Sequence, residues 1–170
     1  LEFRRVLFRS GDTLIVGSVS ESSNQTTITN GTTSSGDNSS SNSGAVYVYK
    51  RTGSSWVQEA YIKAANAHAN DNFGFTISLN KDTLAVGAYS DDTNQTTITN
   101  GVTASTTYTL ADSGAVFVYK RTGSTWTQEA YIKAANANAS DAFGVNVSLN
   151  GDTLAVGAYL EDSNQTTITN

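Results

Sequence analysis

The sequence predicts an all-β chain, a β-propeller fragment of four-stranded antiparallel blades. Three observations carry that expectation. The first is a 70-residue period: GDTLIVGSV begins at Gly11, KDTLAVGAY at Lys81 and GDTLAVGAY at Gly151. Residues 44–100 and 114–170 agree at 44 of 57 positions, so the period marks near-duplicate units rather than unrelated domains. The second is that each unit holds four short apolar runs of strand length. The third is turn chemistry that alternates tight and long between them.

The first ten residues, LEFRRVLFRS, do not fit the period, since the other copies read DNFGFTISLN and DAFGVNVSLN at that place. With Arg4, Arg5 and Arg9 and no Phe-Gly pair, 1–10 reads as a non-native adapter scar and is set outside the fold, the other reading being a diverged native strand. Its apolar run is too short and too charged for a signal peptide or a membrane span. Residues 11–72 are then blade 1, incomplete at its start; 73–142 are blade 2; and 143–170 begin blade 3, giving about two and a half blades.

Within a unit the Phe-Gly run comes first (73–79, 143–149) and is rich in β-branched residues. The Thr-Leu-Ala-Val run follows after a tight turn at Asn80-Lys81-Asp82 or Asn150-Gly151-Asp152. In Thr83–Tyr89, Leu84, Val86 and Ala88 face one way and Ala85, Gly87 and Tyr89 the other, as in a strand buried on both sides. Gly87 and Gly157 are expected where adjacent sheets approach closely. Gly114–Lys120 is a second two-sided strand. The Trp126–Lys133 run places Trp126, Gln128, Ala130 and Ile132 opposite Thr127, Glu129, Tyr131 and Lys133, and reads as an outer strand with one wet side. Thr96–Thr99, repeated as Thr26–Thr29 and Thr166–Thr169, is expected to make a small extra strand or hairpin. An up-and-down meander gathers the long polar loops at one end and the tight turns at the other. Four strands per period describe a propeller blade, whereas tandem β-sandwiches need more strands per copy.

Composition narrows the function. The chain has no Cys, so disulfides and thiolate metal sites are excluded. Net charge is −5, and −7 once residues 1–10 are set aside, with no basic cluster; this argues against nucleic acid and anionic membranes as partners. A chain dense in Ser, Thr, Asn and Gly without Cys suits a secreted or surface protein. His68 is the only histidine, and its counterpart is Asn138, which leaves no repeated Ser-His-Asp arrangement. Near-identical units offer the same side chains repeatedly, a pattern suited to multivalent binding rather than catalysis.

Phe73-Gly74 and Phe143-Gly144, followed by Gly87-Ala88-Tyr89 and Gly157-Ala158-Tyr159, resemble the Phe-Gly/Gly-Ala-Pro repeats of FG-GAP proteins. These include the N-terminal propeller of integrin α subunits and many bacterial extracellular proteins; the order of landmarks resembles the bacterial branch most. Tyr stands in place of Pro in both full copies, and the first copy reads Gly17-Ser18-Val19. The resemblance implies extracellular adhesion or ligand binding, a wheel of seven blades, and calcium in an Asp-rich loop between the first two strands. That place holds only Leu79–Asp82 and Leu149–Asp152, and one Asp in a tight turn cannot supply the several carboxylates that calcium needs. The implied metal site is therefore not carried over, no cofactor is expected, and Asp82 and Asp152 read as turn residues.

Weaker calcium candidates open the long loops: Glu21, Asp91 with Asp92, and Glu161 with Asp162. For a protein or glycan ligand, the long-loop face offers Asp91, Asp92, Asn94, Tyr108, Asn136 and Asn138. Asn24, Asn94 and Asn164 each begin an Asn-x-Thr sequon, a pattern common by chance in this composition. The readings that follow are an adhesion or ligand-binding module that also packs against the remaining blades of a parent chain, an architectural spacer in a large surface or secreted protein, or a non-catalytic propeller attached to an enzyme domain. The loops themselves are divided, sharing Asn-Gln-Thr-Thr-Ile-Thr-Asn but differing between 31–43 and 101–113.

Overall fold

The computed structural model describes residues 5–164, with side chains from Arg9 onward. Among these residues the twelve regular elements are all strands. The first five-stranded sheet comprises β1 (Arg5–Ser10), β2 (Thr13–Ser18), β3 (Ile28–Asn30), β4 (Ala45–Thr52) and β5 (Ser55–Ile62), ordered β1-β2-β4-β5-β3. The second repeats it with β6 (Thr76–Asn80), β7 (Thr83–Ala88), β8 (Ile98–Asn100), β9 (Ala115–Thr122) and β10 (Thr125–Ile132), ordered β6-β7-β9-β10-β8. A third, two-stranded sheet pairs β11 (Phe143–Asn150) with β12 (Thr153–Ala158). Every ladder is antiparallel, and successive sheets pack face to face as in part of a β-propeller.

Three expectations change. Each complete blade has five strands rather than four, because the small extra strand expected in the long loop, Ile28–Asn30 and Ile98–Asn100, joins the sheet at its outer edge by pairing with β5 and β10. The segment set aside at the start is inside the fold: Arg5–Ser10 pairs with β2 over six residues. Antiparallel pairing draws on backbone groups, so a segment lacking the Phe-Gly pair can still fill the first-strand place. Third, Tyr131 and Lys133, assigned to the wet side, are buried. A β-bulge between Gln128 and Ala130 is the cause: two residues oppose one, and every later side chain changes face.

The inner strands are apolar on both sides for the expected reason. Leu84, Ala85 and Val86 are fully buried, and Leu84 and Val86 pair across the ladder with buried Tyr119 and Phe117. One core cluster runs through both five-stranded sheets. The Phe-Gly pair joins them. Phe73 sits edge-on to Phe117 at 5.3 Å, inside its own blade, while its backbone bridges to Gly44 of the preceding one. The next junction repeats the contact: Phe143 bridges to Gly114, and a Cβ on Gly87 would fall 2.0 Å from the Gly144 carbonyl oxygen. Gly87 is where two backbones meet without room for a side chain.

The tight turns lie together, as the meander requires. Lys81 takes φ +53°, a strain that Gly11 and Gly151 relieve at the same place in the other copies. Asp82 receives the Arg121 Nε at 2.8 Å, and Asp12 receives the Arg51 Nε at 2.9 Å, so these carboxylates tie the two hairpin turns of a blade together. Arg121 also reaches Glu59 and Thr13 of blade 1, while the Trp126 indole donates to Glu59 at 2.9 Å. Blade 2 is thus bolted to blade 1 at the outer rim as well as at the Phe-Gly pair.

Candidate functional site

At the opposite end each long loop leaves the second strand, crosses to the outer edge, forms the short fifth strand and returns. Gln95 holds that excursion, its amide donating to Thr97 O at 2.7 Å and Thr99 Oγ1 at 2.8 Å; Gln25 does the same with Thr27 and Thr29. The recurrent Asn-Gln-Thr-Thr-Ile-Thr-Asn motif is therefore structural. Asn24 and Asn94 are exposed; the last four residues of the third copy, 167–170, and its Gln165 and Thr166 lie outside the described residues.

Behind each loop start lies a buried polar cluster built around the lysine that the bulge turns inward. Lys133 Nζ meets Asp91 Oδ1 at 3.1 Å and Ser113 Oγ at 2.6 Å. Asp91 also accepts from Thr93 N at 3.0 Å and from the Thr93 hydroxyl, which in turn accepts from the Tyr131 hydroxyl, whose oxygen lies 3.0 Å from the same carboxylate oxygen. In blade 1, Lys63 Nζ takes Glu21 Oε2 at 2.7 Å, Ser43 Oγ at 2.8 Å and Gly44 O at 2.6 Å. Burial pushes both lysines below their ordinary range, opposed by the carboxylate beside each. Burial, with the Asp91 charge second, holds the Tyr131 hydroxyl far above its ordinary range.

The linker from β5 to β6 fastens this cluster to the preceding blade. Asn66 Nδ2 donates to Asp91 Oδ2 and to Ser105 O, each at 2.9 Å, and Tyr108 OH donates to Asn66 O at 2.7 Å. The His68 ring stacks on Tyr108 at 4.3 Å. On the other side, the amides of Asn70, Asn72 and Phe73 bond to Ser41, Asn42 and Ser43 of the blade 1 loop.

The six residues expected to face a ligand divide into two groups. Asp91 is fully buried and committed to Lys133. Asp92 is half-buried and accepts Asp112 N at 2.8 Å, Asn94 is exposed, and Tyr108 is half-buried against Asn66. Asn136 and Asn138 are exposed at the next linker, where Asn136 Nδ2 donates to Glu161 Oε1 at 3.0 Å and Asn138 Nδ2 to Asn136 O at 2.8 Å. The calcium candidates do not converge either. Glu21 and Asp91 neutralise internal lysines, and Glu161 and Asp162 are exposed. Among the described residues no three His, Cys, Asp or Glu side chains come together as a metal site. The turn carboxylates Asp12 and Asp82 are held by arginines, so the tight turns do not fit calcium.

A groove of about 650 Å³ lies where the inner strands of three successive sheets converge, lined by Val19, Phe75, Tyr89, Val145 and Tyr159 with Asn72 and Asn146. Val19, Tyr89 and Tyr159 occupy one place in the repeat, and Phe75 and Val145 another. Sequence reading missed this groove because adjacent strands create it. It also missed Lys63, Lys133, Asn66 and Asp71, although their exact recurrence in the repeat was the available signal.

A family model described as the FG-GAP repeat matches residues 56–110 and 126–167, together more than half of the chain. No curated protein matches it.

Proposed function

The chain belongs to the FG-GAP repeat family, and from that premise we propose that it is a non-catalytic, extracellular ligand-binding module that reads its ligand with the long-loop end. One observation carries the reading. The scaffold is duplicated almost residue for residue, yet the exposed returns of the long loops, 31–42 and 101–112, differ in sequence. An architectural spacer has no use for that divergence on one end alone. The aromatic groove opens among the inner strands of the same repeats and gives a ligand apolar surface beside two carboxamides. The long-loop end exposes Asp112, Glu161 and Asp162 and, among the described residues, no lysine or arginine, which leaves proteins and neutral glycans as the fitting partners.

The test is a loop exchange. Residues 101–113 are replaced by the sequence of 31–43, and wild type and variant are compared for binding to immobilised fibronectin, collagen and mannan. Binding above an albumin control that changes with the exchange, at unchanged melting temperature, supports recognition by the loops. Equal binding by both proteins, or none, returns the module to the spacer reading.

A further inference from the structure

Among the described residues, the junction between blades 1 and 2 holds two buried side-chain oxygens without a donor. Asp71 is 1% exposed, and its Oδ2 accepts the His68 amide at 2.9 Å while its Oδ1 has no partner. Asn66, five residues earlier in the same linker, is also 1% exposed, and its Oδ1 is likewise without a partner. The Asn66 amide cannot be turned over to cure this, because its Nδ2 already holds Asp91 Oδ2 and Ser105 O. Lys133, the cation of the second cluster, bonds Asp91 and Ser113 rather than Asp71. A buried carboxylate with one oxygen left without a donor and no cation bonded to it is costly, and such a group takes up a proton instead.

We propose that Asp71 keeps its proton at neutral pH, donating from Oδ1 toward the acceptors that Asn66 and Asp91 bring to the junction, and that losing it loosens the clasp between the two blades. One proton turns an orphan acceptor into a donor and relieves a carboxylate-carboxylate repulsion. The groups around Asp71 set the balance. Asp91 and Asp92, from the loop after β7, oppose its ionisation; Lys133, at the end of β10, favours it, as does the His68 amide of its own loop. Lys63 at the end of β5, Tyr108 of the long loop and Tyr131 of β10 also sense its charge. Burial first, and the Asp91 charge second, push the carboxyl up to about 8.

The sign follows from which state holds more protons. Between the unfolded value of 3.8 and about 8 the folded chain binds the extra proton, so stability falls as pH rises through that window. Deprotonation acts where the linker carrying His68 meets Tyr108, which makes the long-loop end the part that opens.

Thermal unfolding at pH 6, 7, 8 and 9, with and without calcium, tests this on the wild type and on Asp71→Asn, which keeps the Oδ2 acceptor and places a fixed donor at Oδ1. The wild type should lose roughly 5 °C or more between pH 6 and 9. D71N should hold its melting temperature across the range and exceed the wild type at pH 9. Amide exchange of residues 64–72 in the wild type, faster at pH 9 than intrinsic chemistry accounts for, locates the opening and does not depend on the variant folding. Parallel profiles for the two proteins overturn the proposal. So does a calcium-dependent gain at pH 9 in the wild type that D71N lacks, which would make the orphan oxygens a cation site.

Discussion

At the residue scale, the buried lysines carry a consequence that a surface count of charges would miss. Lys133 and Asp91 have side chains 0% and 1% exposed, so removing one leaves the other uncompensated in a poorly solvated interior. Lys133→Met should destabilise by about 3–5 kcal/mol in urea unfolding. Adding Asp91→Asn should recover much of that loss, since the stranded charge is then gone. A single variant with wild-type stability would show that water reaches the cluster and that the pair is not structural. The same comparison at the exposed Arg51–Asp12 pair, with side chains 42% and 51% exposed, should leave the urea midpoint nearly unchanged, because solvent screens the pair.

At the element scale, the Phe-Gly strand is the joint between blades, and glycine makes it possible. Gly87→Ala would place a Cβ 2.0 Å from the Gly144 carbonyl oxygen, and the sheets must part; a loss of about 1–3 kcal/mol is expected. Gly157→Ala is the control, because its Cβ would meet nothing nearer than Asn146 Cβ at 3.5 Å. Chemical unfolding of both variants decides it: equal losses would mean that the glycine answers to strand conformation and not to the neighbouring blade. The strands, their order and the two-residue turns were legible because each depends on local signals, alternation and turn residues, that every copy repeats. The bulge at Glu129 was not, because an extra residue leaves the composition of a strand unchanged while reversing its later faces. That reversal hid Lys133, and with it the reason Asp91 is buried rather than presented to a ligand. The groove was illegible for a different reason: Phe75 and Tyr89 meet within one hairpin, their rings 4.5 Å apart, but Val19, Val145 and Tyr159 join them only through the packing of successive sheets.

At the scale of the whole molecule, the ends of the stack differ from its middle. Trp126 is 1% exposed because Glu59 and Asn30 of blade 1 receive it, whereas Trp56, at the same place in blade 1, is 40% exposed beside Val57 at 46%. At the other end, among the described residues, β12 pairs only with β11, and Leu154 and Val156 are partly exposed where Leu84 and Val86 are fully buried. The six residues Thr153–Ala158 carry no charge and no proline, which are the usual guards of an open strand edge. Exposed apolar faces and an unguarded edge drive association. The 170-residue polypeptide should therefore sediment as oligomers or aggregates at micromolar concentration and melt with low cooperativity. Val156→Lys, which puts a charge into the open strand, should shift the distribution toward monomer without disturbing blades 1 and 2. A single monomeric species of the unsubstituted polypeptide, with a sharp two-state transition, would mean that these end faces are self-sufficient. The packing of blade 2 between its neighbours would then not be the source of its stability.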